Sequence, residues 1–299
     1  MKMTFRNTAA MILSFWYIVT GSVNRSVKRA LAGEYILSIY FHDPGKKLFT
    51  DCIRWLMNKG FHFISIAELE RIQNGQQPFP KGAVLLTVDD GWKSNKENII
   101  DVVKRYNIPV TIFLTVDPVV SGSPFWWSYI KTAINKRLLN LSIAQLKEMD
   151  DDQLRNIVRK LREVIVLGRE AMTEEQIHEG LNESNLTIGS HTVTHPILPK
   201  CNDEKVYFEL KESKERLEHA FNRKIFSFAY PNGSYTTREI DILKVTGYTM
   251  AFSTSLQPIT PDSFSRQYEL PRMEVINKVS FLETVCRMTA VWKGNKKNY

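Results

Sequence analysis

The feature that most constrains this chain is a repeated change of hydrophobic period. Seven short β-rich runs, at 35–41, 61–65, 83–89, 109–115, 186–190, 225–229 and 248–253, are several of them almost continuously apolar, as expected of strands covered on both faces. Between them the apolar residues recur at helical spacing. In 94–106 the stripe is Ile99, Ile100, Val103 and Tyr106; in 203–222 it is Val206, Leu210, Leu217 and Phe221, with Lys and Glu opposite. Strand–helix alternation predicts an α/β fold built on a parallel sheet or barrel. The chain has 299 residues, enough for one large domain or two small ones at about 150 residues per domain, and enough to bury a core without metal or disulfide staples.

One stretch breaks the alternation. Between Thr115 and Leu186 no strand pattern occurs. A loop containing Pro and Trp leads into charged helical sequence, so residues 118–184 are expected to form a helical insertion on one rim of the fold. A long insertion after a strand's C-terminal end commonly builds a substrate wall. Residues 34–292 are then the main domain, preceded by a segment 1–33 and followed by a basic tail, 293–299.

The net charge of +8 comes from the two ends: Lys2, Arg6, Arg25, Lys28 and Arg29 at the start, and Lys293, Lys296 and Lys297 at the finish. The body between them is balanced, which argues against a nucleic-acid partner, since that would need a basic face on the folded domain. Basic ends suit an anionic membrane surface or serve solubility alone. Residues 9–21 form an apolar run of signal-peptide length, shorter than the roughly 20 residues of a transmembrane helix. Ile12, Trp16, Val19, Val23, Val27 and Leu31 recur at helical spacing, with Ser14, Gly21, Asn24, Arg25 and Lys28 on the other side. The pattern describes a continuous amphipathic helix, resting either on a membrane interface through residues 1–31 or on the protein's own core. Cys52, Cys201 and Cys286 are isolated and form neither a disulfide framework nor a zinc-finger spacing.

Three segments carry chemistry. Thr87-Val88-Asp89-Asp90-Gly91 closes an apolar strand with two adjacent carboxylates, at the strand end where parallel α/β folds build their sites. Adjacent carboxylates point different ways, so one can bind a metal while the other stays free as a base; alone, the same residues make an ordinary turn. Gly189-Ser190-His191-Thr192-Val193-Thr194-His195-Pro196 follows another strand and places two of the six histidines four residues apart, close enough to meet on one metal. Two His and one Asp would leave positions open for water and substrate. Phe228-Ala229-Tyr230-Pro231-Asn232-Gly233 follows a third strand, where a turn can present backbone N–H groups to a developing oxyanion or simply reverse the chain.

Together, in this order and each after a strand, the TVDDG, SHTVTH and FAYPNG segments resemble the first three motifs of the polysaccharide deacetylase family, the NodB homology domain, from about Tyr35 to Val275. The resemblance implies a distorted (β/α) barrel of about seven parallel strands. It implies one divalent metal, zinc first, with cobalt, nickel or iron as alternatives, and hydrolysis of N-acetyl or less often O-acetyl groups from a glycan. By position, Asp90, His191 and His195 resemble the metal ligands, Asp89 the general base and Asn232 the oxyanion donor. Arg272, in Leu270-Pro271-Arg272, resembles the arginine that orients the base. Tyr230 of the same third motif, with Trp126 and Trp127, completes the candidate substrate-binding residues; the tryptophans could stack on sugar rings or pack inside the insertion.

Two departures are informative. Ala229 stands where the third motif usually has arginine, and no histidine follows His219 to serve as the late acid of the family. His42, in Phe41-His42, instead ends the first strand. This is similar to the circularly permuted branch, which includes deacetylases of poly-β-1,6-N-acetylglucosamine, and makes His42 the candidate general acid. The expected partners are an acetylated polysaccharide and a membrane surface, in a bacterial cell envelope. The competing readings are a non-catalytic glycan-binding relative, and a deacetylase of a lipid-linked or short oligosaccharide.

Overall fold

The computed structural model describes residues 5–292. Lys2 and the basic tail 293–299 lie outside the described residues.

Eight strands form one sheet: β1 (Leu37–Phe41), β2 (His62–Ile64), β3 (Ala83–Asp90), β4 (Val110–Leu114), β5 (Leu186–Ser190), β6 (Ser227–Ala229), β7 (Met250–Phe252) and β8 (Met273–Glu274). Their order is β7-β6-β5-β4-β3-β1-β8, with β2 added beside the first half of β3, and every strand pair is parallel. Seven of these fall in the runs read from the sequence. The eighth, β8, has two residues and no periodicity to betray it. It nevertheless curls the sheet into a distorted barrel: Met273 and Glu274 pair with β1, while Leu270 just before them bridges to Phe252 of β7.

Alternation along β3 separates two cores. Val84, Leu86 and Val88 face the surrounding helices, whereas Ala83 and Leu85 face the barrel interior with Phe113, Met250 and Phe252. Thr87 and Asp89 continue the interior face, so a charged residue is delivered to the inside of the barrel at its upper rim. A close backbone approach helps form this interior. At Gly189 of β5 a Cβ would stand 2.4 Å from the Phe113 ring, so any larger residue would displace that ring.

The insertion holds five helices: Val116–Ser121, Trp126–Asn135, Ile143–Glu148, Asp151–Val164 and Glu174–Glu183. Tyr129, Ile130, Leu146, Leu154, Val158 and Leu161 give it a small core of its own.

The N-terminal segment departs from expectation. It is two helices, Phe5–Val19 and Ser22–Ala32, broken at Gly21 in the left-handed region with φ 73°. The break turns the stripe. Val23 and Val27 join the main core, but Ile12, Trp16 and Val19 are exposed, and Ser14, expected on the polar side, is fully buried. The first helix rests instead through Ser14, whose carbonyl accepts from Cys286, and through an Arg6–Glu283 ion pair of 2.9 Å. Residues 22–32 are therefore part of the domain body. Among the described residues no helix is long and apolar enough to cross a membrane.

Candidate active site

Strand register gathers the motifs. Phe41 lies beside Val88, Asp90 beside Leu114, Leu114 beside Ser190 and Ser190 beside Phe228. The residues that follow each strand, including His42 and His191, therefore emerge on one rim with Asp89 and Asp90. Asp90, Thr192, His195 and Asn232 all have positive φ, between 55° and 75°. Non-glycine residues are held there at a cost, and such positions concentrate at functional sites. Gly91, at φ 82°, completes the turn after Asp90, where a Cβ would stand 2.7 Å from Leu114.

Asp90, His191 and His195 converge, with one donor atom from each lying within 4.8 Å of the others. Asp90 Oδ1 is 3.6 Å from His191 Nε2 and 3.5 Å from His195 Nε2. All three residues are buried. His191 Nδ1 lies 2.7 Å from the Ala229 carbonyl. A carbonyl can only accept, so Nδ1 carries the proton and the Nε2 lone pair faces Asp90. Trp92 Nε1 donates to Asp90 Oδ2 at 2.8 Å, while Oδ1 has no hydrogen-bond partner among the described residues. Burial lowers the pKa of His191, and lowers that of His195 further, with the charge of His191 adding to the effect. Burial likewise raises the Asp90 carboxyl, and the Asp89 charge adds to this against the pull of His42 and His191. Two neutral imidazoles and an orphaned carboxylate oxygen fit a divalent cation, which would supply the charge that burial withholds.

Asp89 has a different environment. Arg272 meets it with both terminal nitrogens, Nη1 to Oδ1 at 2.7 Å and Nη2 to Oδ2 at 2.9 Å. Nη1 also donates to Thr87 Oγ1 at 3.1 Å, and Nε to the Ser253 carbonyl at 3.2 Å. The guanidinium is fully buried, with its carbon 4.4 Å from the Tyr40 ring centroid, 5.4 Å from Phe113 and 5.8 Å from Phe252. Burial works to raise the Asp89 carboxyl. The charges of Arg272 and His191 outweigh it and hold this acid below the usual carboxylate range.

The other candidates are placed as follows. His42 is partly exposed on the rim, its Nδ1 4.0 Å from Glu274 Oε1, and Asn95 holds its backbone carbonyl at 3.0 Å. Asn232 occupies the turn after β6, three residues beyond the carbonyl that orients His191. Trp127 walls the Asp90–His191–His195 cluster, its ring 4.4 Å from that of His195 and stacked on Phe125 at 4.5 Å. Trp126 donates from Nε1 to the His195 carbonyl at 2.9 Å. Tyr230 corrects the sequence reading. Its side chain does not stand on the rim but is fully buried, stacked on Tyr235 and donating to the Tyr268 carbonyl at 2.9 Å. The strand ends at Ala229, and the residue that follows folds back into the core.

Two positioning residues escape the sequence reading. Trp92 stands directly after the DDG turn, and its adjacency to Asp90 was the available signal. Glu209, fully buried on the helix Asp203–Phe221, accepts from the Val193 and Thr194 N–H groups at 2.8 and 2.9 Å and from Thr194 Oγ1 at 2.6 Å. It clamps the loop that bends His195 back toward His191. One Glu among the several of a Lys- and Glu-rich helix gives no sequence signal for this.

The geometry agrees with the comparisons. Residues 76–251 match the polysaccharide deacetylase family profile. The Bacillus subtilis protein YxkH, which carries a provisional polysaccharide deacetylase name, is 22% identical over 230 residues, covering 77% of this chain and 64% of that protein, so the chain spans just under two thirds of that relative. The poly-β-1,6-N-acetyl-D-glucosamine N-deacetylase of Staphylococcus aureus (strain MRSA252) is 23% identical over 245 residues, covering 79% of this chain and 71% of that one. The solved structure of IcaB from Ammonifex degensii shares the fold, with a TM-score of 0.62, 18% identity, and coverage of 86% of this chain and 97% of that one. With its motif residues gathered on one barrel rim and most of the chain aligned to these relatives, this protein belongs to the polysaccharide deacetylase family.

Proposed function

We propose that this chain hydrolyses N-acetyl groups on an amino-sugar polysaccharide, using one divalent cation held by Asp90, His191 and His195, with zinc the first candidate. The observation that carries this reading is the pairing of two unlike carboxylates at the end of β3: one beside two neutral imidazoles, the other locked to a buried arginine. When bound, the cation supplies a Lewis acid that polarises the acetyl carbonyl and eases deprotonation of water. Asp89, kept ionised by Arg272, takes the proton from the attacking water. The Asn232 N–H donates to the oxygen that gains charge. His42, protonated, gives its proton to the leaving nitrogen as the C–N bond breaks, releasing acetate and a free amine. Intact Asp89, Asp90, His191 and His195 favour this over a non-catalytic glycan-binding role.

The test is acetate release from an oligomer of β-1,6-linked N-acetylglucosamine by the zinc-loaded protein. Turnover that disappears with a chelator and in Asp89→Asn is expected; release that persists in Asp89→Asn overturns the assignment.

We also propose that the exposed face of Phe5–Val19, with Ile12, Leu13, Phe15, Trp16 and Val19, rests on an anionic bilayer at the cell envelope. Arg25 and Lys28, exposed on the next helix without carboxylate partners among the described residues, support the charge preference. Removing residues 1–20 should abolish co-sedimentation with anionic vesicles while leaving the core closed. Undiminished co-sedimentation sinks the proposal.

A further inference from the structure

Behind Trp126 and Trp127 lies a cavity of about 390 Å³ that the mechanism above leaves unused. One wall is formed by those two rings; the other is cationic, with Arg155, Arg159, Arg162 and Lys205. The three arginines stand at i, i+4 and i+7 on the helix Asp151–Val164, a spacing that puts them on one helical face. Arg155 is half-buried and fixed: Nε donates to Asp151 at 3.1 Å, and Nη2 to the Thr194 carbonyl and hydroxyl at 3.1 and 3.0 Å. Its guanidinium carbon lies 5.6 Å from the Trp126 ring centroid. Lys205 pairs with Glu209 at 3.0 Å, and the lining acid Asp117 pairs with Arg216 at 3.5 Å.

Arg159 and Arg162 are different. Arg159 donates to the side-chain oxygen of Asn156 at 3.2 Å, and Arg162 lies 5.5 Å from the Tyr129 ring centroid. Neither has a carboxylate partner among the described residues, so the pocket carries two uncompensated charges. It also abuts the catalytic site. Trp126 holds the His195 carbonyl on one side and carries Arg155 on the other, and Trp127 contacts the His195 ring. Aromatic faces take the apolar face of a sugar ring, and guanidinium forks take oxyanions bidentately.

We propose that this pocket is a subsite for an acidic unit of the substrate, so that the polysaccharide carries a carboxylate or phosphate oxyanion near the acetamide that is cut. This rests on the deacetylase reading for its substrate but not for its test. The full-length protein is titrated calorimetrically with three probes: a neutral N-acetylglucosamine tetramer, a tetrasaccharide alternating N-acetylglucosamine with glucuronate, and an oligomer of N-acetylglucosamine 1-phosphate. At low salt at least one acidic probe should bind about tenfold more tightly than the neutral one, and the advantage should shrink as salt rises. The tighter acidic probe identifies the oxyanion. Arg159→Gln/Arg162→Gln should remove most of the advantage, and Arg159→Lys/Arg162→Lys should restore part of it, since charge returns without the fork. Acidic probes binding no better than the neutral one, or a Gln variant that keeps the full advantage, overturns the proposal. Binding needs no turnover, so tight acidic binding without acetate release would leave the subsite standing and remove the deacetylase reading.

Discussion

Asp89 faces the barrel interior, where Arg272 satisfies both its oxygens, whereas Asp90, one residue later, turns through a left-handed backbone toward two histidines with one oxygen unpartnered. The covalent chemistry is identical and both are buried. Yet the pKa of Asp89 falls because the charge and hydrogen bonds of Arg272, together with the charge of His191, outweigh desolvation, and that of Asp90 rises because burial prevails. Burial alone does not set a carboxylate's role; whether the protein supplies its counter-charge does. The interior wall is electrostatically complete, whereas the wall of Asp90, His191 and His195 has an unpartnered carboxylate oxygen.

The harshest way to break this contrast is to remove the fixed cation. Arg272→Ala should leave Asp89 buried beside no counter-charge and cost about 3–5 kcal/mol of stability. The expected readout is a large fall in the denaturation midpoint together with lost turnover. A midpoint close to that of the parent would mean that water or another group replaces the guanidinium. Exchanging the carboxylates one at a time sharpens the comparison. Asp89→Asn should retain stoichiometric zinc and lose nearly all turnover, whereas Asp90→Asn should lose zinc. The opposite pattern by metal analysis would reverse the two roles.

A milder effect is a pH dependence specific to the wall of Asp90, His191 and His195. Burial depresses both imidazoles below the ordinary value of 6.5. At these two groups the unfolded chain therefore binds more protons than the folded one as pH falls through that value, so their contribution to stability falls with it, while the raised Asp90 carboxyl opposes the loss at lower pH. Metal-free protein should lose stability on acidification from about pH 7 toward pH 5, and zinc should suppress the loss until acid displaces it. The Asp89–Arg272 pair acts in the same direction, but over a lower pH range. Its stabilisation is fully present above the unfolded aspartate value near 3.9 and is lost only as pH falls further, through the depressed folded value. A pH-independent metal-free midpoint between 5 and 7 would contradict the burial argument. The smallest effect is expected for Trp92→Phe, which removes one hydrogen bond from Asp90 Oδ2. Zinc affinity should weaken by roughly tenfold, as for other outer partners of a ligand, with the fold intact by circular dichroism.

Much of the architecture was legible because apolar runs report the covering of each strand locally. Asp89, Asp90 and His191 were legible for the same reason, since they stand where such runs stop. The N-terminal stripe misled: a residue in the left-handed region at Gly21 rotates one helix against the next, and spacing read across that break no longer describes one face. Tyr230 misled because its motif neighbours lie on the rim, while its own ring packs into the core.

Sequence by itself determined seven of the eight strands, that their ends carry carboxylates and imidazoles, and that His42 precedes the DDG turn while no histidine follows His219. Tertiary structure alone decided how those groups differ. Arg272 lies 183 residues from Asp89 and reaches it only because the short β8 pairs with β1 as Leu270 bridges to β7. Glu209 clamps the His195 loop from a helix whose own pattern shows an ordinary amphipathic face. The cationic pocket likewise needs the insertion to fold back beside the rim. Local sequence encodes solvation one element at a time, but a buried charge is stabilised by whichever partner the closed barrel brings within about 3 Å of it.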